Sequence, residues 1–179
     1  MIRDYAIPAA IVATAAALLA TPAFAQAIPI GEDAAACTSG RGPAIRVDIA
    51  GLKDRSGRLK LELYPANEAD FLKDDRDLVK EGKTFRRVWA QTPASGAAAM
   101  CIRAPAPGRY ALLFTHDRDG KNKFNFWRDG AGFISRSRLG RSRPKLSQAV
   151  IEVGRGVTTV SIRAQYLRGL AGFAPVETD

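Results

Sequence analysis

The residues best suited to chemistry crowd into one stretch, Pro107 to Arg136. There the single histidine, His116, is followed at once by Asp117 and then by Asp119. An imidazole beside carboxylates can move protons. Asp117, Asp119 and Asn125 also set oxygen atoms at the alternate positions a hard cation uses in a loop. Past this turn come Lys123, Trp127, Arg128, Phe133, Arg136 and Arg138. Between residues 118 and 145, nine basic residues stand against two acids, interleaved with Phe124, Phe126, Trp127 and Phe133. Aromatic faces beside guanidinium groups stack on sugar rings and pair with phosphate or carboxylate. The binding expectation therefore rests on His116, Asp117, Asp119, Lys123, Trp127, Arg128, Phe133, Arg136 and Arg138. The partner chemistry it implies is an anionic glycan, a lipid headgroup or another envelope protein. The competing reading has the aromatics plugging an open end of the fold while the charges face water.

Several chemistries drop out. One histidine cannot make a two-histidine zinc site, and no GxSxG nucleophile turn occurs. A Ser-His-acid arrangement needs only one histidine, so an enzyme centred on His116 and Asp117 stays open as the alternative, although nothing places a serine beside them. The plainer reading of His116 is a partly buried imidazole at a strand end, bonded to a backbone group or to Asp117. In the turn, Lys121 occupies the place of a third cation ligand and Asn122 replaces the turn glycine. The segment is therefore read as an Asx-type structural turn, with no metal and no cofactor expected. Gly82-Lys83-Thr84 resembles the tail of a phosphate-binding loop, but Asp77 stands where the first glycine belongs, and the motif is discarded.

The chain that positions these residues begins with Arg3, an apolar run from Ile7 to Ala20, and Pro22-Ala23-Phe24-Ala25. This is the pattern of a secretory signal peptide, residues 1–25, cleaved after Ala25. The expected location is periplasmic or secreted, with no transmembrane segment in the mature chain. Removing Arg3 and Asp4 turns 27 basic and 18 acidic residues into 26 and 17, so the net charge stays +9. Such a surface favours anionic partners, and export sets nucleic acid aside. Cys37 and Cys101 are the only cysteines. In an oxidising compartment the pair reads as a disulfide, with two free thiols as the alternative. No CxxC redox motif is present.

The elements follow from periodicity. Residues 26–43 are Ala-, Gly- and Pro-rich and are expected to form a flexible N-terminal tail fastened only at Cys37. Ile45, Val47 and Ile49 alternate with charged residues, as do Leu59, Leu61 and Leu63, and the two runs are expected to pair as an antiparallel hairpin. A short helix or ordered loop is expected near 66–80. Strands follow at 84–91, with a broken alternation that could mark a bulge, at 97–103, and at 108–116, whose two apolar faces predict a central strand. Residues 149–153 and 157–165 flank Gly154-Arg155-Gly156, a second hairpin signal. The fold class is all-β: a single antiparallel β-sandwich of about seven strands over residues 44–168, with a C-terminal tail at 169–179.

The order of these features resembles a known family. Val47-Asp48-Ile49-Ala50-Gly51-Leu52, Gly57 to Tyr64, Phe71-Leu72 before Phe85-Arg86-Arg87, Pro107 to Ala111 leading to His116-Asp117, and the GAGFIS segment at 130–135 together resemble the bacterial exported "domain of unknown function 2141" family. That resemblance implies a secreted or periplasmic prealbumin-like (transthyretin-like) β-sandwich with no established activity. Tyr166-Leu167-Arg168-Gly169 is superficially similar to the ending of the hydroxyisourate hydrolases, but the inserted Leu167 and the missing histidines exclude that activity.

Overall fold

The computed structural model describes residues 27–176, so the expected signal peptide lies outside the described residues. Alternation sets the first layer of the architecture. Ile45, Val47 and Ile49 of β1 (Ala44–Ala50) and Leu59, Leu61 and Leu63 of β2 (Arg58–Pro65) are buried and fill one shared core. The two strands nevertheless belong to different sheets. In the smaller sheet β1 lies between two neighbours, β4 (Ala98–Arg103), which is antiparallel to it, and β8 (Val157–Arg163), which is parallel. The larger sheet has the order β10 (Phe173–Pro175), β9 (Gln165–Leu167), β6 (Gly130–Gly132), β5 (Gly108–Asp117), β2 and β3 (Arg86–Gln91), with β7 (Val150–Val153) also paired to β5.

Both expected hairpins are therefore corrected. Residues 51–57 carry the chain from the smaller sheet to the larger one, and Gly154–Gly156 carry it back, so that β8 lands parallel beside β1. Glycine and polar turn residues mark a change of direction, but they do not say which strand the next segment will pair with. The count of about seven strands becomes ten among the described residues, because β6, β9 and β10 span three residues each, too short to show a period. The all-β, two-sheet reading holds, whereas full antiparallelism does not. In β3 the register with β2 runs unbroken from Arg58↔Gln91 to Leu63↔Arg86, with no bulge.

Strand β5 is central, as its two apolar faces predict. One edge pairs with β2 along residues 110–117, and the other is shared in line by β7 along 108–111 and β6 along 114–116. Its inward residues Leu112 and Phe114 join the main core, whereas Ala111, on the opposite face, joins a second core with Tyr64, Phe71, Leu78, Phe133 and Ala149. That second core is built by the segment expected near 66–80, which folds as a loop ending in helix α2 (Asp75–Lys80). Asp74 caps the helix by accepting the Arg76 N–H, and the charges are arranged as the helix dipole favours, with Asp75 and Asp77 in the first turn and Lys80 in the last.

The N-terminal segment is not fastened at Cys37 alone. Helix α1 (Ala34–Thr38) covers the outer face of β4, where Ala36, Ala44 and Cys101 form a small third core. Buried Asp33 accepts from both the Arg86 guanidinium, at 2.8 and 2.6 Å, and the Arg103 N–H, at 2.8 Å. A buried carboxylate needs such partners, and this requirement is what the composition of the tail could not show. At the other end β10 pairs with β9 and buries Phe173, so residues 173–175 belong to the sheet rather than to a tail.

Cys37 and Cys101 lie at disulfide distance, with Cα atoms 5.9 Å apart and a sequence separation of 64. Closing a loop of that size stabilises by about 4 kcal/mol in the chain-entropy model. Replacing both cysteines with alanine is expected to lower stability by roughly that amount in guanidinium unfolding, and an unchanged midpoint would count against the bridge.

Candidate functional site

At the far end of β5 the alternation that buries Leu112 and Phe114 also carries His116 inward, to 0 % exposure. An imidazole buried this deeply needs partners for both nitrogens. Its Nδ1 lies 2.7 Å from Tyr166 Oη and its Nε2 2.8 Å from the Ser56 carbonyl oxygen. The Ser56 carbonyl can only accept, so Nε2–H donates to it, and in the neutral imidazole Nδ1 then accepts from the Tyr166 hydroxyl, whose oxygen also accepts the Lys53 N–H at 3.0 Å. The hydrogen-bond network thus assigns the tautomer. Burial pushes the His116 pKa below its ordinary value, against the weaker opposite pull of the Ser56 carbonyl. Burial likewise pushes Tyr166 up to about 12, the Lys53 N–H opposing it. Two glycines permit this packing. A Cβ on Gly57 would stand 2.1 Å from the Asp117 carbonyl oxygen, and one on Gly130 would stand 2.4 Å from the Tyr166 ring. Both imidazole nitrogens are engaged within the fold.

The next residues close the loop 118–129 from within. Asp117 Oδ2 accepts from Arg58 Nη2 at 3.2 Å and from the Asn122 N–H at 3.1 Å, while the same Arg58 nitrogen donates to the Gly120 carbonyl at 2.7 Å. Buried Asp129 accepts the Arg118 N–H at 2.9 Å and the Asn125 N–H at 2.7 Å, tying the two ends of the loop together. Half-buried Asp119 accepts from the Lys121 N–H and from the Asn125 side-chain amide, each at 3.2 Å. Arg118 pairs with Asp54. Burial alone would raise the Asp54 carboxyl, but the hydrogen bonds from Arg118 and Ser56 outweigh it and hold the group well below the usual carboxylate range. Asp117, Asp119 and Asp129 bring one oxygen each within 4.8 Å of one another.

The loop held this way presents its other side chains outward. Phe124, Phe126 and Trp127 are 44, 43 and 80 % exposed, making three of the six large apolar side chains exposed among the described residues. Phe126 meets Trp127 edge to face at 5.9 Å and Phe173 at 5.0 Å, so the exposed pair stands on a buried ring. Behind them are two shallow grooves. One, of about 220 Å³, runs past Phe126, Arg141 and Phe173, and the other, of about 240 Å³, has the Lys60–Glu62 ion pair in its floor and Phe124 and Pro144 in its walls. Lys121, Lys123, Arg128, Arg136, Arg138, Arg141 and Lys145 are exposed and form no ion pair among the described residues. A larger cleft, about 450 Å³, lies elsewhere, between residues 82–86 and 103–105. Its cations are already committed, Lys83 to Asp70 and Glu81, and Arg86 to Asp33. The discarded Gly82-Lys83-Thr84 motif follows a helix rather than opening one.

The nine residues singled out in the sequence thus divide by depth. His116, Asp117 and Phe133 are buried, and Phe133 is a core residue, edge to face with Phe71 at 6.0 Å, rather than a stacking platform. Asp119 is half-buried at the loop base. Lys123, Trp127, Arg128, Arg136 and Arg138 are exposed. The aromatics thus divide: Phe133 is enclosed by the second core, while Phe124, Phe126 and Trp127 face outward. The sequence reading missed Asp129, which latches the loop, and Tyr166 and Asp54, which pair with His116 and Arg118. Their separations of 50 residues for Tyr166 and His116 and 64 for Asp54 and Arg118 leave no local signal.

A family model described as an uncharacterized protein conserved in bacteria (DUF2141) matches residues 47–161, and the chain belongs to that family. No curated protein and no solved structure matches the chain significantly. Among the described residues no helix is long and apolar enough to cross a membrane.

Since the folded pKa of His116 lies below the ordinary 6.5, the unfolded chain takes up a proton first as the pH falls. The stability that depends on a neutral His116 is complete above about pH 6.5 and is lost progressively as the pH drops toward the depressed value. Melting temperatures followed from pH 7.5 to 5.5 are expected to fall in the wild type and to flatten with pH in His116→Gln; a flat wild-type profile would contradict the buried neutral imidazole.

Proposed function

We propose that this chain is a non-enzymatic binding module of the bacterial cell envelope, exported by residues 1–25. Its prealbumin-like sandwich carries the loop 118–129 to an anionic lipid surface. The observation behind the reading is the coincidence, on one internally latched loop, of Phe124, Phe126 and Trp127 facing outward with the unpaired cations Lys121, Lys123 and Arg128. Indole and phenyl rings partition to the headgroup level of a bilayer, and each Lys or Arg near an anionic surface contributes about 1 kcal/mol. Exposed apolar side chains gathered in one patch otherwise cost solubility, so their grouping favours a partner. The complete engagement of His116 argues for binding over catalysis, because a buried imidazole without a free nitrogen serves the fold. The wider basic strip of Arg136, Arg138 and Arg141 adds long-range attraction to the same class of surface.

The test is co-sedimentation with phosphatidylcholine vesicles made with and without phosphatidylglycerol, at low and moderate salt, alongside purified peptidoglycan. Binding is expected only to the anionic vesicles and is expected to weaken with salt. Trp127→Ser with Phe126→Ser should abolish it, and Lys121→Ser with Lys123→Ser should weaken it by about 2 kcal/mol. Retention on peptidoglycan alone would shift the reading to an anionic glycan, and a protein left in every supernatant would overturn it.

A further inference from the structure

We propose that the base of the loop 118–129 is a calcium site formed by the carboxylates of Asp117, Asp119 and Asp129. One oxygen from each lies within 4.8 Å of the others. Calcium takes oxygen ligands at about 2.3–2.6 Å, so two ligands of one ion stand at most about 5 Å apart, and the three carboxylates already satisfy that limit. Magnesium, with ligands at about 2.0–2.1 Å, demands near-ideal octahedral geometry, whereas calcium accepts irregular sets of oxygen ligands.

A separate feature indicates a ligand. The Asp117 side chain is only 3 % exposed, and its Oδ1 has no hydrogen-bond partner among the described residues, while Oδ2 is taken by Arg58 and Asn122. A buried carboxylate oxygen left bare is costly, and an ion or ordered water is the ordinary remedy. Of the three carboxylates only Asp117 forms an ion pair among the described residues, with Arg58, and Arg118 is paired with Asp54. The Asp119 pKa is lowered by the Asn125 hydrogen bond and also by Lys121 and Arg128, which lie near enough to offset part of the negative charge. The backbone N–H bonds to Asp119 and Asp129 orient those carboxylates and leave further lone pairs free, as outer hydrogen bonds do around metal ligands. Sequence order concealed this arrangement, since Lys121 stands where a linear loop would put the third ligand. The third carboxylate comes instead from Asp129, ten residues after Asp119.

This inference concerns the ion alone and stands independently of the membrane reading. The test is thermal unfolding and titration calorimetry of the purified protein after chelation, with calcium or magnesium added back and no lipid present. Calcium is expected to raise the melting temperature and magnesium to raise it less. Asp119→Asn, at the least buried of the three ligands, should lose at least tenfold in calcium affinity while melting normally in chelator. Superimposable wild-type curves in calcium and in chelator would overturn the site, as would a calcium response retained in Asp119→Asn. An equal rise with magnesium would overturn its assignment to calcium.

Discussion

A central strand that is apolar on both faces must be covered on both faces, and in this protein that strand is β5. Leu112 and Phe114 require the smaller sheet beneath them, while Ala111 and Leu113 require something above. Sandwich folds often leave their outer faces to water. Here the outer face of the larger sheet also holds Tyr64, together with the buried Lys60 and Glu62 on β2, and the polypeptide between strands supplies the cover. The loop before α2 contributes Phe71, α2 contributes Leu78, and the long stretch between β6 and β7 returns Phe133, Leu146 and Ala149 to the same face. Connections that would otherwise be surface loops thus become structural parts.

The same strand explains why the polar groups gather where they do. Where β5 leaves the sheet, its alternation continues for one more step and carries a histidine into the core, and the next residue, Asp117, is buried at the strand end. Burying an imidazole and a carboxylate side by side is tolerated only because each finds partners from distant segments: Tyr166 and Ser56 for one, Arg58 and Asn122 for the other. The loop that follows spends its carboxylates and main-chain amides on its own closure. Apart from Arg118, which pairs with Asp54, its aromatic and basic side chains face outward.

The N-terminal strap obeys the same rule on the opposite side. Asp33 is buried against β3 and β4 and is held by Arg86 and the Arg103 amide. Burial alone would raise its pKa, but these donors and charges outweigh it and keep the carboxyl low. One charged pair and a cysteine pair at disulfide distance dock a segment whose composition carries no periodic pattern.

Local alternation made most strands legible, because whether a side chain faces in or out is a property of neighbouring residues: Ile45, Val47 and Ile49, or Leu59, Leu61 and Leu63, declare their faces without any partner. It also identified β5 as central, and it placed the unusual residues of 116–138 at the end of that strand. Pairing was not legible in the same way. Whether β1 joins β2 or β8, and whether β7 turns back on β8, depends on which segments meet across the core, and Gly154-Arg155-Gly156 looks alike in either case. Depth was equally hidden for single residues, so Phe133 reads like Phe124 until the second core encloses it. The sequence by itself determined the strand periodicity, the excess of positive charge and the family. Only the tertiary structure decided that Asp129 stands with Asp117 and Asp119, and that Tyr166 consumes the free nitrogen of His116. These are contacts between residues far apart along the chain, and their energies do not exist until the chain is folded.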